Sequence, residues 1–245
     1  MLDARIPRHV HHRAHRHGGV VLLNIATGTW HALNPSAGAL WTRWAQGVGF
    51  ESSVIELADR HPEVSPEKIR EEAGDLLRDL LRRGLLEPAE SGVARRGSPQ
   101  AAPGRAVPSP SAAVTTALGP SRRPAAGATL LAGCCLLVSL LLLRLPFRIT
   151  TAVVARLRQA TGRREMTVSR AESAAMAVRH VARRYPGRAA CLETSLATVL
   201  FAAASLRRLD WCLGAATDPY RFHAWAELDG HPIATDPGHL RVLTL

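Results

Sequence analysis

Lysine, aromatic side chains and paired cysteines are what this chain has least of. Lys68 is the single lysine among 31 basic residues, so the net charge of +11 is almost all arginine. Such a charge admits an anionic partner: nucleic acid, a membrane surface or an acidic peptide. Arginine in place of lysine throughout, in a chain also rich in alanine, reads more simply as compositional bias. Aromatics make up 4% of the residues, which leaves aliphatic and alanine contacts to build the cores. Of the four cysteines, Cys134 and Cys135 are adjacent, Cys191 and Cys212 lie far apart, and no C-x-x-C spacing occurs. This excludes a disulfide framework and fits a reduced, cytoplasmic compartment. The amino terminus has charge but no apolar core segment, so no signal peptide is expected. His9, His11, His12, His15 and His17 alternate with arginines without metal-ligand spacing or a carboxylate. They read as a solvated basic arm, and no metal or cofactor is expected.

A length of 245 residues accommodates one large domain or two small ones. Residues 1–88 form one compositional block. Val20-Val21-Leu22-Leu23-Asn24 and Thr29-Trp30-His31-Ala32-Leu33 read as two strands joined at Ala26-Thr27-Gly28, a hairpin. Ser36 is positioned to cap a helix whose apolar face carries Ala37, Leu40, Trp41 and Trp44. A second short helix follows from Phe50. Ser65-Pro66-Glu67 opens a third, with Ile69, Ala73, Leu76, Leu77, Leu80 and Leu81 as its stripe and Arg82-Arg83-Gly84 as its end. A hairpin plus three helices describes a winged-helix-like domain.

Residues 89–126 are interrupted by Pro99, Pro103, Pro108, Pro110, Pro120 and Pro124 and keep no apolar period. They read as a disordered linker spanning on the order of 35 Å. Gly127–Leu143 then runs without charge. As a helix it measures about 25 Å against a hydrocarbon core of roughly 30 Å. It is expected to be the buried first helix of a second domain at 127–245, and membrane association is not expected. After further helix, including a capping-box spacing at Ser169 and Glu172, an apolar helix opens at Cys191. Strands follow at 209–213, 221–228 and 231–234, the last two joined by Asp229-Gly230. Helices first and an antiparallel sheet afterwards make an α+β domain.

Cys191, His223 and Asp236 follow one another 32 and 13 residues apart. A thiol ionises near about pH 8.5, and a helix N-terminus or an adjacent imidazolium lowers that value. Cys191 stands where the helix starts, and its own N–H is a candidate oxyanion donor. His223 sits on a strand, sharing its face with Trp225, and would move the proton. Asp236 would fix the imidazole's tautomer and orientation, with Asp218 before Pro219 as a rival.

The chain resembles the fused B protein of lasso-peptide biosynthesis, a leader-recognition domain joined to a transglutaminase- or papain-like cysteine protease. The first half is similar to the small chaperone of pyrroloquinoline quinone biosynthesis in Val21-Leu22-Leu23-Asn24, Gly28-Thr29-Trp30-His31-Ala32-Leu33-Asn34, Gly38-Ala39-Leu40-Trp41 and the closing Leu80-Leu81-Arg82-Arg83-Gly84-Leu85-Leu86. The second half is similar to the family's protease in Cys191-Leu192-Glu193-Thr194-Ser195-Leu196 and His223-Ala224-Trp225-Ala226-Glu227-Leu228-Asp229-Gly230. The resemblance implies a ribosomal precursor peptide as substrate and an asparagine-synthetase-like lasso cyclase as partner. It implies a leader bound as an added strand at the hairpin edge, Val20, Val21, Leu22 and Leu23, toward the third helix, with Trp30, Leu76 and Leu80 as further contacts. It implies Cys191 as nucleophile, His223 as base and Asp236 as its orienter. Two other readings stand beside it. One is a winged-helix DNA-binding regulator with a degenerate enzyme-like tail; the acidic start of the third helix (Glu67, Glu71, Glu72, Asp75) argues against it and against any nucleic-acid partner. The other is an acyltransferase or transglutaminase using the same triad.

Overall fold

The computed structural model describes residues 4–15, 18–88, 125–161, 166–217, 220–234 and 239–245. The linker expected at 89–126 lies outside them, apart from its last two residues.

The first half contains β1 (Ala4–Arg5), β2 (Val10–Ala14), β3 (Val20–Asn24), β4 (Thr29–Leu33), α1 (Pro35–Ala45), α2 (Phe50–Arg60), α3 (Pro66–Arg82) and β5 (Glu87–Pro88). Asn34, not Ser36, caps α1: its side chain accepts from the Ala37 N–H at 2.9 Å, and Pro35 takes the first helical position. Proline's fixed φ and missing donor suit that position. Ser65 caps α3 as expected, accepting from Lys68 N at 3.3 Å. Val10, Val20, Leu22, Leu40, Trp41, Ile69, Leu77 and Leu80 meet in one core. β1 and β5 pair to close it, with Arg5 and Glu87 bridged at 3.0 Å.

The hairpin is in fact a three-stranded sheet in the order β2-β3-β4. β2 comes from the segment read as a solvated arm. Its histidines and arginines hide it from a pattern search, yet His12 packs edge-on to Trp41 at 5.7 Å. Burial pushes the pKa values of His11 and His12 down. β3 is therefore the central strand, with Val20 opposite Ala14 on one side and Leu33 on the other. The expectation that Val20–Leu23 form an edge is corrected accordingly.

The second half contains α4 (Ala126–Leu142), α5 (Phe147–Ala160), α6 (Val168–Ala182), α7 (Cys191–Ala204), β6 (Asp210–Thr217), β7 (Tyr220–Leu228), β8 (His231–Ile233) and β9 (Leu240–Thr244). The four strands form an antiparallel sheet in the order β8-β7-β6-β9. Asp229 and Gly230, both at positive φ, turn β7 into β8, the left-handed pair that a tight hairpin needs. α6 starts after Thr167 without a side-chain cap, so the Ser169–Glu172 spacing does not cap it. α7 packs on β7 with one side and on α4 and α6 with others. That accounts for its apolar character on nearly every face. α4 buries Ala132, Cys135, Leu136 and Ser139. Among the described residues no helix is long and apolar enough to cross a membrane.

The described residues of both halves form one compact unit. β3 is the seam. Val20 and Leu22 enter the first core, whereas Leu23 is buried in the second, beside Leu196, Trp211 and Ala224. All five residues of β3 are buried, which explains why the run Val-Val-Leu-Leu does not alternate. Trp30 of β4 stacks on Phe222 of β7 at 4.8 Å between ring centroids.

Candidate active site

Cys191 is the first residue of α7, where N–H groups have no helical acceptor. Ala190 stands at the N-cap and has no side chain to offer. Glu193 reaches back instead, its Oε2 accepting from the Ala190 N–H at 2.8 Å. Thr194 Oγ1 donates to the Ala190 carbonyl at 2.9 Å. These two bonds fix the chain entering the helix, so the half-buried sulfur is held at a defined tip. Behind it Trp211 Nε1 donates to Ser195 Oγ at 2.9 Å, tying α7 to β6.

Cys191 and His223 line the same cavity, of about 280 Å³, together with Arg179, Thr194 and Trp225. His223 clusters with two rings, Trp225 at 6.1 Å and nearly parallel, and His239 at 4.6 Å, which also approach each other at 5.6 Å. Trp225 is held in turn by Glu227, whose Oε1 accepts from the indole N–H at 2.7 Å and whose Oε2 pairs with Arg241 at 3.2 Å. Gly214 faces His223 across the sheet, and a Cβ there would stand 2.7 Å from the Trp225 ring and 2.2 Å from the Leu240 carbonyl. Glycine is what lets β9 and the indole close around the histidine.

Burial, His239 and Arg179 together depress the pKa of His223 below its ordinary value of 6.5. The imidazole is therefore neutral near pH 7 and competent as a base. Cys212 is a different case: burial pushes its thiol up to about 12, leaving it inert. Burial also raises Cys135.

The structure thus brings two of the three expected catalytic residues to one cavity. The rings of His239 and Trp225 flank that of His223 within this cavity, and Arg179 acts on its charge. Asp236 lies outside the described residues. Arg179 donates to the carbonyl of Ala234, the last described residue before it. Of the expected leader contacts, Val20, Val21, Leu22, Leu23 and Leu80 are core residues, and Trp30 is committed to Phe222. Leu76 lines a separate groove of about 240 Å³ with Leu40, Leu57 and Ile69. Arg179, Glu193 and His239 were not singled out by the sequence. Glu193 had a signal, three residues after the N-cap; His239 and Arg179 had none.

Residues 134–244 match the family model described as the transglutaminase-like superfamily, and residues 19–86 match that of coenzyme PQQ synthesis protein D, PqqD. The chain joins a PqqD-like domain to a transglutaminase-like domain. Both Cys191 and His223 fall in the transglutaminase-like match, whereas β3, β4 and α1–α3 fall in the PqqD-like one. Among solved structures, TbiB1 in complex with the TbiA(beta) leader peptide is 28% identical. The alignment covers 35% of this chain and 98% of that one, with a TM-score of 0.33. No curated protein matches the chain.

Proposed function

We propose that this protein is the leader peptidase of a lasso-type ribosomal peptide system, with Cys191 as nucleophile, His223 as general base and acid, and Asp236 as the group that orients His223. The observation that carries the reading is the shared cavity. A cysteine at a helix tip and a neutral histidine line one pocket, in a chain whose other half is PqqD-like.

The chemistry follows from the residues. His223 takes the thiol proton as Cys191 Sγ attacks the carbonyl carbon at the leader–core junction. The oxyanion forms where the first N–H groups of α7 converge, and the helix dipole favours negative charge there. Collapse expels the core's amine, protonated by His223, and leaves the leader as a thioester on Cys191. Water, deprotonated by His223, then releases the leader carboxylate and restores the thiol. The freed core amine is what an ATP-using, asparagine-synthetase-like cyclase would close into a macrolactam. A nucleophilic thiol has to stay reduced, which fits work in the cytoplasm.

In this reading residues 1–88 recognise the leader and residues 127–245 cut it, with 89–126 as their linker. Because β3 is central, the leader adds to the outer edge of β4 rather than to Val20–Leu23. The end of α3 is near enough to that strand for Asp79, and Arg83 just past the helix, to act on the charge of His31.

The test is cleavage of a precursor peptide followed by mass spectrometry, alongside leader binding followed by fluorescence anisotropy. Cys191→Ala should lower kcat/KM by at least about 10³-fold and leave leader affinity unchanged. Cleavage that persists in this variant removes Cys191 from the mechanism. Absence of leader binding by the wild-type chain removes the recognition half of the proposal.

A further inference from the structure

α4 and the later turns of α7 are both strongly apolar, but only α7 is covered. The face of α4 opposite its buried residues shows Leu130, Leu137 and Leu141 at 73%, 56% and 63% exposure, with Val138 at 45%. Cys134 is exposed on the same stripe. Past the helix end Leu145 and Ile149 are exposed too, interleaved with exposed Arg144 and Arg148. A contiguous aliphatic surface of this kind marks a contact site.

The charge around it says what the contact is with. Between Glu90 and Glu165 the sequence holds no acidic residue and eleven arginines, and α4 and α5 lie inside that stretch. A second copy of the chain would bring arginine against arginine. The preceding residues 91–123 offer only Val93, Val107, Val114 and Leu118 as larger aliphatics, too few to cover the ridge. An anionic lipid surface satisfies both features, taking the leucines between its acyl chains and the arginines at its phosphates. Insertion across the bilayer is excluded by the other face of α4, which is committed to α6 and α7 through Ala132, Cys135 and Leu136.

We propose that the exposed face of α4, with Arg144 and Arg148 beyond its end, is a peripheral docking surface for anionic phospholipid bilayers. The protein lies on the membrane with the ridge at headgroup depth. The peptide cut at Cys191 is then released beside the bilayer. The inference does not depend on the peptidase reading, since adsorption is measured without substrate.

The experiment is co-sedimentation of the full chain with vesicles of phosphatidylcholine alone or of equimolar phosphatidylcholine and phosphatidylglycerol. Partitioning should be at least about tenfold stronger on the anionic vesicles, because each surface arginine contributes on the order of 1 kcal/mol there. It should fall several-fold between about 0.1 M and about 1 M salt, as the Debye length shrinks from about 10 Å to about 3 Å. Leu137→Asp combined with Leu141→Asp, both at solvent-facing positions, should lose about tenfold or more in partitioning while keeping the wild-type circular dichroism. Arg144→Gln with Arg148→Gln should lose the anionic preference and serves as the second variant should the first misfold. Equal partitioning on the two vesicle types, no partitioning on either, or full partitioning by both variants overturns the proposal. So does a dimer, or a complex with the cyclase, that the Leu137→Asp/Leu141→Asp variant abolishes while still sedimenting with anionic vesicles; the ridge would then be a protein interface.

Discussion

The PqqD-like half and the transglutaminase-like half reach stability by different means. The first buries large side chains, Leu22, Trp41, Trp44 and Leu77 among them, under amphipathic helices whose outer faces are laced with ion pairs. Arg43 meets Glu56 at 2.5 Å, Arg70 meets Glu51 at 3.0 Å and Arg83 meets Asp79 at 2.6 Å. The second packs its helices through alanine: Ala171, Ala174, Ala175 and Ala177 on α6, Ala197 and Ala202 on α7. Its carboxylates are fewer and better buried, as in Asp210 held by Arg158 and Arg208 and Glu227 held by Arg241. Small side chains let α6, α7 and the sheet approach closely, which suits a site where a sulfur and an imidazole must share a narrow cavity. Large side chains with polar exteriors suit a half that, in the proposed reading, presents a strand edge to a peptide.

The strongest way to break this contrast is to empty each core in turn. Trp211 is fully buried and hydrogen-bonded to Ser195; Trp211→Ala should cost about 3–5 kcal/mol. Trp41, equally buried, should cost a similar amount as Trp41→Ala. Because β3 belongs to both cores, both variants should lower one shared transition in calorimetry. Two separated transitions, each moved by only one variant, would show that the halves fold as independent bodies.

Acid sharpens the contrast next. His11, His12, His31 and His223 all have depressed pKa values, each chiefly through burial. A group whose folded pKa lies below its unfolded value binds more protons when unfolded, so stability falls as pH falls. The stabilisation is fully present above the ordinary value of 6.5 and is lost below it. Denaturant midpoints measured downward from pH 7.5 should therefore drop once the pH passes about 6.5. Three of the four histidines lie in the PqqD-like half, but the shared strand makes the drop common to both halves, so tryptophan fluorescence and calorimetry should give the same midpoint at each pH. The rate profile should follow the same sign: the acid limb of kcat/KM lies below 6.5, and Arg179→Gln, which removes a cation acting on His223, should move it upward.

Smaller effects come from the seam and the surface. Trp30→Ala removes the stack on Phe222, worth about 0.5–1.5 kcal/mol beyond the area lost. A double-mutant cycle with Phe222→Ala should return that coupling; a zero value would mean the rings merely touch. Arg70→Gln breaks a bridge whose two side chains are half-exposed and should change stability by about 0–1 kcal/mol.

Legibility in the sequence tracked periodicity. α3 was readable because Ser65, Pro66 and the stripe from Ile69 to Leu80 are local signals, and so was the start of α7 at Cys191. β7 and its Asp229-Gly230 turn were readable for the same reason. β2 was not, since a strand of valine, two histidines, arginine and alanine has no apolar alternation; its order comes from pairing with β3 and from His12 against Trp41. β9 was missed because it is short and completes a sheet whose other strands precede it. Without β2 the run Val20–Asn24 reads as an edge strand, and only its pairing with β2 makes it central. At the site, Cys191 and His223 were legible through residue type and order, whereas Arg179 and His239 reach the cavity only through tertiary placement.

The shared strand also governs how such proteins are recombined. A graft of the recognition half from a relative with another precursor would carry its own version of β3 into a host fitted to Val21 and Leu23. The host must therefore be refitted at Phe147, Phe222 and Trp211, its own residues around β3 and β4, or the transplanted half will loosen the scaffold that holds Cys191.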